Sequence, residues 1–293
     1  MTPEEYAAQQ ALITASTAAY VQRLASMFTG PALTMRGWLD FLRAIFPVVQ
    51  RNYTQAAELG RKFYDSQRTK HHAYLPANER LLGELKFEWF VQNMEPARGD
   101  LSREDAPQQA VAKTVLTAVR EVEMAGRRQI IGAVNNDPEQ ILQGWARVAT
   151  GRETCAWCLM LISRGAELNH KGNFAYSAAE TAGLILDETT ALDLWSESGQ
   201  SLEEFKKVTK PYIEKWHTGC DCMAVPVFDI NNWPGRDQAK RAMQLWIDAG
   251  KEADKLMQSG ESRTQNTNTE TLNALRRRLE RGDVSMYDYA FAA

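Results

Sequence analysis

The chain is poor in the residues that carry most enzyme chemistry. Its 293 residues hold four cysteines and four histidines. It has no His-Glu-x-x-His pair, no Gly-x-x-x-x-Gly-Lys-Ser/Thr loop and no Gly-x-Ser-x-Gly elbow, which removes the common zinc-hydrolase, nucleotide-phosphate and α/β-hydrolase sites. A zinc deaminase is excluded on the same ground. His170 is followed by Lys-Gly-Asn rather than x-Glu, and Thr154, not proline, precedes Cys155. No stretch of about 18 apolar residues occurs, so no transmembrane helix is expected. The formal net charge of −3 gives no general excess of positive charge for nucleic acid. The first residues carry Glu4 and Glu5 and no basic run, which reads as a helix start rather than a secretion signal. A reducing cytosol is therefore the expected site of synthesis. There, clustered cysteines bind metal or do chemistry more often than they form disulfides.

What the chain does have is apolar residues, at 44%, enough for a real core. Most recur at helical spacing. Residues 3–28 form one such stretch, broken at Gly30-Pro31. A second begins near Thr34 with Trp38, Leu39, Leu42, Ile45 and Phe46, and Pro47 is expected to end or kink it. The pattern resumes with Val49, Tyr53, Ala56, Ala57, Gly60, Phe63 and Tyr64, and these aromatics read as helix–helix packing. A short helix is expected around 78–94, followed by a turn-rich break at 95–109. The longest pattern runs from Pro107 to Val134. Asp137 and Pro138 then look like the N-cap and first residue of another helix extending to about Thr150.

From Arg152 to about Trp233 the character changes. All four cysteines and a valine-rich strand, "MAVPVFDI", lie here. Two segments, 176–195 and 201–216, look helical, and Ser177 with Glu180 and Ser201 with Glu204 resemble capping boxes, as Ser102 with Asp105 does earlier. Residues 235–257 form an amphipathic helix. The polar run 258–270 reads as a linker, with a short helix and an aromatic tail beyond it. The expected organisation is a helical region over 1–135, a Cys/His-bearing domain over 136–235, a helix over 236–258, and a flexible linker with a short tail helix over 259–293. The fold class is mainly α with a small β element, the middle domain being α+β and stapled by its Cys/His cluster.

That cluster is the one constellation with metal-ligand spacing. Cys155 and Cys158 are placed to aim two thiolates at one ion, and a second donor pair would complete a tetrahedron. The second group is "HTGCDC", offering His217, Cys220 and Cys222. Five donors thus compete for four positions. Structural zinc is the leading expectation, since four sulfur-rich ligands leave no open position for water. Disulfides are the alternative, buried unpaired cysteines a further one, and a thioredoxin-like redox pair lacks the βαβ unit it needs. Trp145, Trp157 and Trp216 are expected to shield the cluster. Arg164 reads as a turn-stabilising residue. The runs at Arg127–Arg128 and Arg276–Arg281 read as solvated helix faces, with DNA phosphate contact as the sharper alternative. His71 and His72 are expected in an exposed loop.

Taken together, "GWARVATGRETCAWCLMLISRG", "YSAAETAG" and "WHTGCDCMAVPVF" resemble the Mu protein F-like minor head proteins of tailed bacteriophages, in the form seen in phages of actinobacteria. The resemblance rests on Cys155, Cys158, Ser163, Arg164, Gly165, His217, Cys220, Cys222, Val225, Pro226 and Val227, in order, and covers about residues 136–235. It implies a virion protein made in the host cytoplasm and placed in the capsid interior or at the portal vertex. Its implied partners are the portal protein and the major capsid protein, with packaged DNA as a further candidate, and no membrane. The implied role is head assembly, DNA packaging or DNA delivery. No catalytic residue or organic cofactor is expected. The alternative is a phage-delivered enzyme, nucleic-acid-directed or toxin-like, on a similar scaffold.

Overall fold

A reciprocal cap starts the first helix. The Thr2 hydroxyl accepts the Glu5 N–H at 3.2 Å, and the Glu5 carboxylate accepts the Thr2 N–H at 2.8 Å. Pro3 occupies the first helical position, where its missing N–H costs nothing. The computed structural model describes residues 1–28, 34–79, 81–101, 107–139, 141–151, 154–168, 199, 201, 204, 219 and 222–291. Among these the chain divides into two compact units, residues 1–136 with 199, 201, 204 and 219, and residues 137–139, 141–151, 154–168 and 222–291.

The first unit is a bundle of α1 (Pro3–Ala25), α2 (Met35–His71) and α4 (Pro107–Asn135), with α3 (Phe87–Leu101) laid along α4. Trp38, Phe41, Leu42, Ile45, Val49 and Tyr53 of α2 supply much of its core, against Trp89, Phe90 and Met94 of α3 and Ala118, Val122 and Ala125 of α4. Of the two outcomes expected at Pro47, an end or a kink, the end does not occur, since α2 continues through it. Its ring faces solvent, while buried residues continue on both sides of it. An interior proline costs about 3 kcal/mol. Each large apolar side chain buried beyond it returns about 1.5–3 kcal/mol, so packing wins. The break expected at 95–109 also starts later, since α3 carries Pro96 and runs to Leu101. Residues 81–86 ahead of it are not helical. They are instead pinned by side chains: Gln129 accepts the Leu82 N–H at 2.6 Å, and Gln50 donates to the Leu85 carbonyl at 3.1 Å.

α2 and α4 cross at a pair of glycines. A Cβ on Gly60 would lie 2.8 Å from the Gly126 carbonyl oxygen, and one on Gly126 would lie 2.5 Å from the Tyr6 hydroxyl. Tyr6 stacks on Phe63 with centroids 4.7 Å apart, and burial pushes its phenol pKa well up. Two buried polar pairs in this interior bridge helices. Asn52 donates to the Thr17 hydroxyl at 2.8 Å, and Asn93 donates to the fully buried Glu121 at 2.8 Å.

In the second unit, β1 (Gly144–Val148) is the middle strand of a sheet ordered β2-β1-β3, antiparallel throughout, with β2 spanning Ala166–Leu168 and β3 spanning Met223–Val227. The helix expected after Asp137 is therefore a strand. Asp137 caps only a turn, its carboxylate accepting the Glu139 N–H at 2.9 Å. All five β1 residues are buried, so the strand lacks the polar alternation that would have marked it. The strand expected from the valine-rich run is β3. Its Pro226 is tolerated because β3 lies at a sheet edge.

α5 (Ala156–Ile162) packs against α6 (Arg236–Ser259) and α7 (Thr267–Glu280) through Ala156, Leu159, Leu245, Ala249, Leu272 and Leu275. Gly235 enters α6 at φ +90°, and a Cβ there would meet Val148 at 2.5 Å. Only glycine fits that combination of conformation and space. α7 starts at Thr267, capped by Asn266, so the end of the polar run 258–270 belongs to a helix. Among the described residues, no helix is long and apolar enough to cross a membrane.

Candidate functional site

Cys155 is the N-cap residue of α5, in extended conformation and half-buried, and Cys158 is buried one turn further on. Their sulfurs are 3.7 Å apart. A disulfide needs about 2.05 Å, so the pair is not bonded. Two thiolates on one tetrahedral zinc, each about 2.3 Å from the ion, stand about 3.8 Å apart. The spacing therefore fits a shared metal without rearrangement.

Cys222 is buried and directly precedes β3. Met223, the next residue, pairs with Val148, the last residue of β1. The chain leaves β1 at that same end and reaches Cys155 seven residues after Val148. Sheet register thus brings both cysteine-bearing segments to one end of the sheet. His217 and Cys220 lie outside the described residues, as do Trp216, the helix expected over 176–195 and all but residues 201 and 204 of the one expected over 201–216. Among the described residues, no three His, Cys, Asp or Glu side chains come together as a metal-holding group.

Burial alone does not make the expected shield. Trp145 is buried in β1, but Trp157, between the two cysteines, is 37% exposed. It lies on the outer side of a seven-residue helix whose inner side is taken by Ala156, Cys158 and Leu159. Arg164 stacks over Trp246 of α6 at 5.0 Å, which ties the turn after α5 to the helix beneath it, as a structural arginine would.

The basic runs are occupied within the fold. Arg127 and Arg128 are buried, not solvated. Arg127 pairs with Glu123 at 3.3 Å, and Arg128 donates to the Tyr53 hydroxyl at 3.3 Å. Glu252 of α6 receives Arg278 at 3.0 Å, Arg277 at 3.5 Å and Arg281 at 3.8 Å, and Arg277 also pairs with the buried Glu270 at 3.0 Å. This network clamps α7 to α6 and leaves little of the arginine run for phosphate. At the other basic stretch, His71 ends α2 in solvent, while His72 is half-buried and its ring sits edge-on to Tyr74.

A docked tail escaped the sequence. Phe291 N–H donates to the Ala149 carbonyl at 3.1 Å, and Ala149 and Ala290 pair as a parallel bridge. Gln238 and Arg241 of α6 donate to the Ala290 and Asp288 carbonyls at 3.1 and 2.8 Å. Ala290 closes over Gly151, where a Cβ would approach it to 2.7 Å. Partial burial beside Asp288 raises the Tyr289 pKa. The tail therefore braces the segment that leads from β1 to Cys155. The aromatic composition of the tail was its one visible signal.

A helical bundle joined to a small three-stranded sheet that carries a Cys-x-x-Cys helix start is a mainly α protein with a cysteine-bearing α+β unit. The chain belongs to the VG15 protein family, whose family model matches residues 2–249. It is similar to the Gene 15 protein of Mycobacterium phage L5, at 67% identity over 294 residues and all of both chains. It is also similar to the Gene 15 protein of Mycobacterium phage D29, at 62% identity over 283 residues, 96% of this chain and all of that one. The family is thus one of phage-encoded proteins, made in a host. No solved structure matches the chain.

Proposed function

We propose that the protein is a minor head component of the phage particle, of the Mu protein F-like kind, located at the portal vertex or on the inner capsid and acting in head assembly or DNA delivery. The observation that carries this reading is that β1–β3 pairing brings Cys222, at the entry to β3, to the end of the sheet from which the chain runs on to Cys155 and Cys158. They belong to the ordered set of residues on which the head-protein resemblance rests. Full-length similarity to phage proteins supports it. The portal protein and the major capsid protein are the partners in this reading, with packaged DNA as a lesser one, because the arginine run of α7 is already paired to Glu252.

In the same reading the cysteines have a structural role and the protein is not an enzyme. Zinc held by four of Cys155, Cys158, His217, Cys220 and Cys222 would crosslink the start of α5 to the chain entering β3. Such a crosslink contributes folding energy directly.

A nonsense mutation in the coding sequence, grown in a non-suppressing host, tests the role. The expected result is particles with misassembled or empty heads, or full heads that fail to deliver DNA, and a fall in infective yield of at least about a hundredfold. Normal heads with normal infectivity would overturn the proposal.

A further inference from the structure

We infer that α1 is the self-association face of this protein, and that its partner is a second copy of α1 packed antiparallel. The helix packs Ile13, Tyr20, Val21, Leu24 and Ala25 into the bundle core, yet its solvent side is unusually poor in charge. Its buried side includes Gln10 and Thr17 beside Tyr6, Val21 and Ala25. Its exposed side carries Ala8, Leu12, Ala15, Ser16 and Ala19. Leu12 is 72% exposed, and Met27 just past the helix is 76% exposed. No charged residue stands between Glu5 and Arg23. A solvated helix face of this length ordinarily carries several charges. Small residues at every turn let another helix approach to about 8 Å between axes.

Charge selects the occupant and its direction. Glu5 and Arg23 lie on this same exposed face, at opposite ends of the uncharged stretch, with Glu4 beside Glu5. A parallel copy would set like charges together. An antiparallel copy sets Arg23 of each helix against Glu4 and Glu5 of the other, and Leu12 against Ser16, in a closed two-fold arrangement. A groove of about 760 Å³ continues the face onto α4 at Val111, Val115 and Leu116, bordered by Gln22 of α1 and by Ser26 just past its end.

The face is about 35 Å long and 10 Å wide, roughly 350 Å² per copy before the groove is counted. The two copies together bury roughly 700 Å², below the about 1,200 Å² of a standard interface, so the expected association is weak and is read at the upper concentrations.

Sedimentation of the full chain from about 5 to 200 μM tests the inference. The expected mass rises from the 33.1 kDa monomer toward twice that value. Leu12→Glu should keep the protein monomeric at every concentration with an unchanged circular dichroism spectrum, since the side chain is already exposed. Arg23→Glu should weaken association about fivefold, as expected for two exposed ion pairs, and adding Glu4→Arg should recover it. A wild-type monomer at 200 μM would overturn the inference, and so would a dimer that Leu12→Glu leaves intact.

Discussion

With zinc held as proposed, replacing Cys158 by serine is expected to lower the melting midpoint of the second unit by at least about 12 °C and to release the metal. Two effects add. The Cys158 side chain is fully buried, so a serine hydroxyl in its place costs about 1–3 kcal/mol unless it finds a partner. Losing one ligand of a structural zinc forfeits several kcal/mol more. A total of about 3 kcal/mol or more, at 4–8 °C per kcal/mol for a unit of roughly 100 residues, gives the stated shift. Cys158→Ala separates the two effects. If the thiol only fills space, alanine costs about 1 kcal/mol. If the thiolate holds metal, alanine costs nearly as much as serine. A chelator should bring wild type down to the level of either variant and leave the variants themselves unmoved. Calorimetry with and without chelator checks this. A Cys158→Ala protein within about 1 kcal/mol of wild type, and indifferent to chelator, would remove the metal from the account.

Gly60→Val is expected to destabilise the first unit by about 3 kcal/mol and leave the second unit's transition in place. A Cβ at position 60 would stand 2.8 Å from the Gly126 carbonyl oxygen and 3.2 Å from its Cα. These are backbone atoms of α4, so the helices must separate to admit it. Overpacking of this kind costs about 1–3 kcal/mol, and valine's two branches push it to the upper end. The better helix propensity of valine over glycine returns only a few tenths of a kcal/mol. Urea unfolding followed by the aromatic signal of Trp38 and Trp89, both in this core, reads the change. A midpoint equal to wild type would show that the helices do not cross on these glycines.

What was legible in the sequence followed local periodicity. α1, α2, α4 and α6 declared themselves through apolar residues three and four apart, and β3 through its valines. β1 did not, because a strand buried on both faces has no alternation and Asp137-Pro138 imitates a helix start. Pro47 looked decisive because the buried stripe on either side of it is visible only as packing. Arg127 looked like a surface residue because its pair with Glu123, four residues away on α4, says nothing of burial, and Arg128 because its partner Tyr53 reaches it only once α4 meets α2. The same holds for Glu252, which gathers three arginines from another helix, and for the tail that pairs with Ala149. In the candidate site, Cys155 and Cys158 were legible because one turn of chain sets their spacing. That the β3 entry comes to the same end of the sheet required the β1–β3 register.

The claim that matters most is that this is a component of the phage particle. Quantitative mass spectrometry of purified virions, comparing DNA-filled particles with particles that have ejected their DNA, tests it directly. The account predicts the protein in filled particles at a fixed number of copies, well below that of the major capsid protein. Its absence from both filled and emptied particles would contradict the account.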